Sequence, residues 1–490
     1  MKHNFMDEET ISYLNQEIED QQTRLTVNND LLDIYEGDVL KSLMKKLLDD
    51  LGENSSQQAH SRAVPVNILR QVTNKLSTIY QNTPRRFVEP EKQSDIELLE
   101  WYEDQLKINH NLNYNNELQN IFGYTYQQVV INNGKPHTRA IPNTKFVPIN
   151  TNKVDPTELN IIVLLMGENT SVDGKENVQI RWAWSDDQFV IFDSNGSIRT
   201  DLMLERLDVD PDDSIADLFV NPLGKIPGVY LTTSKNSIMP PIPHDILQLS
   251  LLVPTLLTDL NFAAKFSIFS ILYGIDVDDE NLKMSPAVFW RFKSKQGGEK
   301  PQIGSIKPDC DIDKVLNLAA TELALWLQSI GIRPGAVGKL NGNNFESGIS
   351  KVIDEADIQD HQSKQQTMYG YFEKDFWDLV LHTMHPYWLA FVELDESVPT
   401  NIFTPTSSVS ILFTKKIPVH SRGALAKDYM VEIDGMLISR REVMRRLNPE
   451  FSEAKIDELL AEIAEEKSMF NQVSGADPFS DEDEEDEDAS

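Results

Sequence analysis

Residues 311–350 read DIDKVLNLAATELALWLQSIGIRPGAVGKLNGNNFESGIS, an apolar helical pattern followed by a loop rich in glycine and asparagine. Apolar residues at helical spacing predict a helix over Asp311–Ile330, which Gly331 ends as a left-handed capping residue. The loop carries a single lysine, Lys339, and a helix-start signature follows near Asn344–Glu346. A flexible loop between two strong helices suits a phosphate cradle, a catalytic lid or a pore-lining loop.

Helical periodicity also occurs on both sides of this stretch. The helix after the loop is predicted to continue to Met384, before Pro386, with a kink near Gly370. Other helices are predicted over Leu31–Gly52, Ile68–Tyr80, Asp95–Ile108, residues 244–274, the segment that begins with the Ser439–Glu442 capping box, and residues 453–467.

Between these helical regions, the apolar period changes from 3.6 to two. The run YTYQQVVINNGK predicts a strand that ends at an Asn-Gly turn, and NIIVLLMG predicts a buried strand. The run VQIRWAWSDDQFVIFDSNG predicts a hairpin in which Ile180, Trp182 and Trp184 face Phe189 and Ile191. The middle of the chain therefore predicts an α+β fold.

The charge balance is strongly acidic. In 490 residues, 45 Lys and Arg face 78 Asp and Glu, for a net charge of −33. The run DEDEEDED at Asp481–Asp488 supplies eight of these charges, so about 25 negative charges remain elsewhere (33 − 8), and the residues from 471 onward are expected to be a disordered tail. Such a chain repels duplex DNA over most of its surface, although it tolerates DNA passing through it.

The cysteine count and hydropathy predict a soluble cytosolic protein. The only cysteine is Cys310, so the sequence excludes an internal disulfide or a cysteine metal cluster. The first residues lack a signal-peptide pattern. Pro254, Asp259, Asn261 and Lys265 interrupt the most apolar segment, Ile246–Gly274, which argues against a conventional membrane span.

Two patterns resemble metal sites but match them poorly. The run Asp208–Phe219 alternates acids as calcium loops do, but it has Asp213 where a glycine is required and Phe219 where a glutamate is required. The calcium-loop pattern is also not matched by the second acidic group, which is Asp276, Asp278 and Glu280. His382 and His385 share a helix face without a third ligand of suitable spacing, among aromatic neighbours that suggest a packed core. No metal or cofactor is expected.

Catalytic motifs are also missing from the candidate segments. The polar residues Trp184–Asp187 fit ordinary hairpin-turn chemistry. Ser347 lies outside the Gly-x-Ser-x-Gly pattern of hydrolases, and Lys339 is followed by Leu340 rather than by the Ser or Thr of a P-loop. We therefore expect no enzyme activity.

Basic residues cluster in two places. One group comprises Arg291, Lys293, Lys295, Lys300 and Lys307, in a predicted strand–turn–strand excursion around Val288–Lys293 and Gly297–Gly298. The other comprises Arg440, Arg441, Arg445 and Arg446, which are expected to face outward on one short helix. The first group suits docking of an acidic partner or of phosphates, and solvated surface is the competing explanation for both.

The order of these segments resembles the portal proteins of tailed bacteriophages, in the form common among siphophages. Four motifs carry the resemblance from about residue 60 to 467. They are VNILRQVTNKLSTIYQNTP, IFGYTYQQVVINNGK, the Pro-Leu-Gly-x-Ile-Pro turn of NPLGKIPGVYLTTSKN, and IPVHSRGALAKDYMVEIDGMLISRREVMRRLNPEFSEAKIDELLAEIAEEK. The third motif is the most specific of the four.

The resemblance implies a ring of subunits, usually twelve, with wing, stem, clip and crown regions. The corresponding segments are an N-terminal acidic helical segment (1–58), an α+β wing (59–243), a stem helix (244–274), a clip (275–310), a second stem helix (311–331), a tunnel loop (332–345), a long wing helix with a wing strand (346–420), crown helices (421–470) and an acidic tail (471–490).

The resemblance also implies sites and partners. The tunnel loop would present Gly335, Gly338, Lys339, Asn341, Gly342, Asn343 and Asn344 to the channel, and the clip would dock partners through Arg291, Lys293, Lys295 and Lys300. The implied partners are further copies of the chain, the large terminase subunit, a head–tail adaptor, the major capsid and scaffolding proteins, and double-stranded DNA bound without sequence specificity. The implied location is the portal vertex of the virion, after assembly in the host cytoplasm and without a membrane.

Two alternatives from other classes remain open. One is a metal-dependent hydrolase that uses Asp208, Asp210 and Asp212 on the α+β middle region. The other is a monomeric acidic adaptor that mimics nucleic acid with its tail and exposes the Arg440–Arg446 surface.

Overall fold

The computed structural model describes residues 4–51, 63–152, 154–171, 177–207, 218–269, 271–275, 302–306, 312–329, 348–413, 429–433, 435, 437–448 and 453–474. The chain is mixed α/β, with 54% helix and 19% strand, which agrees with the predicted α+β class. It divides into two units, which we describe separately. The first comprises residues 1–81 and 87–410, and the second comprises residues 82–86 and 411–490.

The helices of the first unit are α1 (Glu8–Asp20), α2 (Gln22–Glu36), α3 (Val39–Leu51), α4 (Ile68–Leu76), α5 (Gln93–Leu106), α6 (Ile108–Phe122), α7 (Thr200–Leu207), α8 (His244–Phe269), α9 (Ile312–Ser329), α10 (Gly348–Asp378), a π-helical segment (Leu379–Met384) and α11 (His385–Phe391). The second unit contains α12 (Arg440–Leu447) and α13 (Glu453–Ser474).

The strands are β1 (Arg85–Glu89), β2 (Tyr124–Asn132), β3 (Lys135–Ile141), β4 (Phe146–Ile149), β5 (Ile161–Thr170), β6 (Asn177–Trp184), β7 (Phe189–Asp193), β8 (Gly228–Thr232), β9 (Ile271–Ile275), β10 (Gln302–Ile306) and β11 (Ser408–Leu412). They form antiparallel sheets in the orders β3-β2-β8, β4-β5-β6-β7 and β9-β10, together with a β1-β11 pair.

The first three helices belong to the main core rather than to a separate surface segment. Their apolar residues, including Leu14, Leu31 and Leu43, lie in one buried cluster with the residues of both larger sheets. The single helix predicted over Leu31–Gly52 is wrong, because Gly37 adopts φ 119° and ends α2 before α3 begins. Only glycine adopts this backbone conformation readily, so the chain turns there.

A second helix boundary also differs from the prediction. The helix predicted to end near Ile108 ends at Leu106, because Lys107 is left-handed with φ 47°. The next helix, α6, was not predicted. Its sequence, INHNLNYNNELQNIF, is rich in asparagine, which has a low helix propensity in isolation. Tertiary packing overrides that propensity, since Leu112, Leu118 and Phe122 are buried.

The three-stranded sheet confirms the predicted Asn-Gly turn. Asn133 and Gly134 connect β2 to β3 with φ values of 50° and 71°, as a two-residue hairpin turn of this type requires. On its other edge β2 pairs with β8, which opposes Gln128 to Gly228. Gly228 lies so close to β2 that an added Cβ would be 2.5 Å from the Gln127 carbonyl oxygen and 2.6 Å from the Tyr126 ring.

The four-stranded sheet confirms the predicted hairpin and its register. Trp182 pairs with Ile191, and Trp184 pairs with Phe189. The predicted buried strand is the first half of β5, where Ile161–Leu165 are all buried. This sheet therefore forms the interior of the first unit, against which the N-terminal helices pack.

Helices α8, α9 and α10 lie where long helices were predicted, but α8 ends earlier than expected. The helix predicted over 244–274 ends at Phe269, and β9 begins at Ile271. Helix α9 confirms the prediction over Asp311–Ile330 within two residues. Helix α10 is not interrupted at Gly370, where a kink was predicted, and the change of hydrogen-bonding pattern comes later, in the π segment.

Half of the predicted C-terminal capping box is present: the Ser439 cap forms, while the Glu442 carboxylate accepts from Arg445 and Arg446 instead. The Ser439 hydroxyl accepts a hydrogen bond from the Glu442 backbone N–H (3.2 Å) at the start of α12. This contact satisfies one of the free amides at the helix start. Helix α13 begins at Glu453, as predicted for the second helix of this region.

We expect Gly228→Ala to destabilise the first unit by about 1–3 kcal/mol, because the added methyl group meets backbone and an aromatic ring that cannot both move away. Gly370→Ala is the matched control. It lies inside α10 with open space around it, and we expect it to stabilise the helix by up to about 1 kcal/mol. Urea unfolding followed by circular dichroism measures both changes, and equal midpoints would contradict the packing argument.

Candidate functional site

The residues predicted to contact DNA or docking partners lie outside the described part of the chain. This applies to the tunnel-loop residues Gly335, Gly338, Lys339, Asn341, Gly342, Asn343 and Asn344, and to the clip residues Arg291, Lys293, Lys295 and Lys300. Lys307, the strand predicted at Val288–Lys293, and the acids Asp208, Asp210, Asp212, Asp276, Asp278 and Glu280 also lie outside it. The structure does describe the elements on either side of these segments.

Paired strands hold the two ends of the clip segment together. Strands β9 and β10 pair antiparallel from Ile271↔Ile306 to Ile275↔Gln302. The neighbours Ile275 and Gln302 are the last and first strand residues, so the intervening residues 276–301 leave and return at one end of a two-stranded ribbon. Neither strand was predicted at its observed position, because each is five residues long and lacks a clear alternation.

Helices α8 and α9 flank this ribbon and contact each other. One face of α9 packs on α8 and α4 through Leu323 and Leu327, which lie in a small cluster with Val72 and Val253. Another face of α9 is apolar and exposed: Leu318 is 50% exposed and Leu325, seven residues later, is 61% exposed. This helix therefore has apolar surface that the described chain does not cover.

Helix α8 is also apolar, but its apolar residues between His244 and Ala263 are buried or half-buried rather than exposed. Its stretch His244–Ala263 is long and apolar enough to cross a membrane by length and composition alone, and 33% of it is buried. By length and composition, the proline and polar residues that interrupt Ile246–Gly274 therefore do not exclude a membrane span. The prediction from the sequence that they do is wrong on this point. On the packed side of α8, the Thr258 hydroxyl accepts a hydrogen bond from the Val64 N–H (3.1 Å).

The helix that follows the predicted tunnel loop is anchored by buried polar contacts. Gln365 of α10, which is 4% exposed, donates to Gln119 (3.2 Å) and accepts from Asn116 (3.4 Å), both on α6. One turn later, the Tyr369 hydroxyl donates to Asn115 Oδ1 (2.9 Å). A seam of amide and hydroxyl groups thus fixes how α10 lies along α6.

The seam continues to a buried carboxylate. Glu373 has no exposed surface and accepts from the Tyr80 hydroxyl (2.7 Å) and from Trp377 Nε1 (3.4 Å). Sequence analysis missed this seam because it did not predict α6. The available signal was the run of Asn and Gln at helical spacing between the apolar residues of Ile108–Phe122.

The two histidines considered as zinc ligands make structural hydrogen bonds instead. His385 Nε2 is 3.0 Å from the Asn401 carbonyl oxygen, which only accepts, so this nitrogen carries the proton. The other nitrogen, Nδ1, then accepts from the Tyr102 hydroxyl at 2.8 Å. Burial lowers the pKa of His385. His382 Nε2 faces the Ser407 carbonyl oxygen at 3.0 Å.

Asp95 connects the same region to the start of α5. Its buried carboxylate accepts from the Ser407 hydroxyl (2.8 Å) and from the Thr404 N–H (3.2 Å). Together with the histidine contacts, it holds residues 401–407 against α5 and α11. Among the described residues, no group of three or more His, Cys, Asp or Glu side chains is placed to hold a metal ion.

The polar tip of the β6–β7 hairpin holds the Pro-Leu-Gly turn. Asn221 Nδ2 donates to the backbone oxygens of Ser185 (2.8 Å) and Lys225 (2.9 Å). The Ile226 N–H donates to Asp186 Oδ1 at 3.1 Å. The contacts therefore agree with the interpretation of Trp184–Asp187 as ordinary turn chemistry. The Pro-Leu-Gly turn, which carries the most specific resemblance, has a structural role here, because its hydrogen bonds attach it to the hairpin tip.

The four arginines of α12 were expected to face outward, and Arg441, Arg445 and Arg446 are 38–52% exposed, but each of these three also forms an ion pair. Arg441 pairs with Asp457 of α13, and Arg445 and Arg446 both pair with Glu442 (2.8 and 3.1 Å). Arg440 is exposed and has no ion pair with a described residue. The basic surface that a monomeric adaptor requires is therefore much reduced.

Compared with known proteins, the chain matches no protein-family model, and no curated protein is significantly similar to it.

We expect the stability of the first unit to fall as the pH drops below about 6.5, because His385 protonates in the unfolded chain before it does so in the folded chain. This stability is present above the unfolded pKa and is lost as the pH falls toward the lowered folded pKa. His385→Asn should reduce the pH slope of the unfolding free energy between pH 7 and 5 by up to about 1.4 kcal/mol per pH unit. Urea midpoints across that range measure the slope, and identical slopes would contradict the assignment.

Proposed function

We propose that this chain is the subunit of a phage portal, a ring at one capsid vertex through which double-stranded DNA is packaged and ejected. The observation that carries the proposal is the exposed apolar face of α9 beside the partly buried apolar residues of α8, with a two-stranded ribbon between the two helices in the chain. In a portal, helices in these positions form the stem and pack against neighbouring subunits. The quoted motifs and the order of the elements support the same assignment.

Contact with further copies explains the apolar surface better than a membrane does. A membrane-spanning helix is apolar around its circumference and meets lipid, whereas α8 packs one side on α2, α3, α4 and α9. Its buried Pro254 and Thr258 belong to that packed side. Leu318 and Leu325, on the face of α9 that the described chain leaves exposed, suit an interface between identical subunits in a closed ring.

The segments that join the described elements would then carry the contacts with DNA and partners. Residues 332–345, between α9 and α10, would be the tunnel loop. Each copy would offer its one lysine, Lys339, to the phosphates, so the strength of salt-dependent binding would depend on how many loops of the ring touch the duplex at once. Residues 275–310 would be the clip, which docks the large terminase subunit and later the head–tail adaptor through its cations. The net charge of −33 would keep the rest of the channel from holding DNA.

Native mass spectrometry tests the ring directly. Twelve copies of the 55.8 kDa chain would give about 670 kDa. We expect Leu318→Glu with Leu325→Glu to shift the protein to monomers, because the charges enter the proposed interface. Val154→Glu is the matched control, since Val154 is 92% exposed on a loop and should leave the ring intact. A wild type that stays monomeric like the double variant would contradict the proposal.

Lys339→Ala tests the channel assignment separately. We expect the ring mass to be unchanged, because the loop is proposed to face the channel rather than a neighbour. DNA retention should weaken, and the magnitude of the slope of log affinity against log salt should fall by about 0.9 for each phosphate that the chain no longer neutralises. Filter binding at several salt concentrations measures this slope. Dissociation of the ring in this variant would place Lys339 at a subunit interface instead.

A further inference from the structure

An open groove of about 630 Å³ lies on the first unit, between α2–α3 and α8–α9. Apolar side chains line part of it, including Leu249 and Leu252 of α8 and Trp326 of α9. Leu249 and Trp326 pack on the small cluster that joins α4, α8 and α9, so this part of the groove is backed by packed core. The groove is large enough to receive several apolar side chains and is open to solvent.

The rim of the groove is charged, with an excess of acid. Asp30 of α2 is paired with Lys45 of α3 at 3.5 Å. The remaining rim charges are Asp49, Asp245, Glu322 and Lys46, and none of them has an ion pair with a described residue. Three carboxylates against one ammonium leave two uncompensated negative charges (3 − 1). A ligand that enters the groove therefore gains from positive charge at its edges.

A second feature of the groove is an unsatisfied donor. The indole Nε1 of Trp326 is buried and has no hydrogen-bond acceptor among the described residues. A buried donor without a partner costs free energy, which a small rotation of the side chain toward a bound acceptor would recover. This donor, the apolar lining and the acidic rim are contributed by helices on both sides of one opening.

We propose that this groove binds a basic amphipathic helix of a separate protein, with its apolar face on Leu249, Leu252 and Trp326 and its Lys or Arg side chains on the acidic rim. Helix walls on both sides of an apolar floor are the shape that a further helix fills. The acidic rim disfavours an anionic lipid surface or a nucleic acid. The inference does not depend on ring formation, since every residue involved belongs to one copy of the chain.

A pair of helical peptides tests the charge requirement in the full-length protein. Both carry leucines along one face. One has lysines on both flanks and the other has glutamates, and each is labelled with fluorescein for anisotropy titration. We expect the lysine peptide to bind about tenfold or more tightly than the glutamate peptide at physiological salt.

Because the whole chain is acidic, a matched charge reversal is needed to localise binding. Asp49→Lys with Glu322→Lys changes two rim charges, and we expect it to weaken the lysine peptide about tenfold. Asp49 lies in the last turn of α3, where a lysine suits the helix dipole, so the variant should fold. The control, Glu393→Lys with Glu396→Lys, makes the same change of net charge at exposed positions outside the groove and should leave the affinity unchanged.

Trp326→Phe keeps an aromatic floor but removes the indole N–H and part of the apolar surface, and we expect it to weaken the lysine peptide between about twofold and tenfold. Hydrogen exchange should show protection of α3, the first turns of α8 and the end of α9 when the peptide is bound. Equal weakening in the two charge-reversed variants, or protection elsewhere, would overturn the proposal. So would the absence of binding by either peptide.

Discussion

The proposed ring depends on one feature of the structure: α9 carries an apolar face that the described chain does not cover, beside α8, whose apolar residues are only partly buried. Leu318 and Leu325 are at least half exposed, and only a third of His244–Ala263 is buried. At about 25 cal/mol per Å² of apolar surface, such a face favours a partner strongly. The strongly acidic remainder opposes indiscriminate aggregation. An interface with a specific partner surface, which we propose to be another copy of the chain, satisfies both conditions.

The rest of the first unit supports these helices through a shared core. The N-terminal helices and the two sheets share one core, and α8 packs against α2 and α3 at its edge. On the other side of residues 330–347, the amide seam of Gln365 and Tyr369 fixes α10, while Asp95 and His385 hold the segment after the π turn.

Sequence reasoning predicted the elements whose pattern is local and missed those that depend on distant contacts. The Asn133–Gly134 turn, the Trp182–Ile191 register and the Ser439 cap follow from neighbouring residues, and the structure has all three. Helix α6 was missed because its asparagines find partners on α10, more than two hundred residues away. The acidic groove was missed for the same reason, since four helices contribute to it. The predicted loop and clip residues stay predictions.

The accessibility of one side chain in the associated protein tests the central claim most directly. In a Cys310→Ser background, Leu325→Cys would be labelled with a maleimide, with Val154→Cys as the exposed control. The account predicts that Cys at 325 reacts much more slowly than Cys at 154 in the native protein, and that both react alike in urea. Equal rates in the native protein would show that the apolar face of α9 is open, and would contradict the proposed interface.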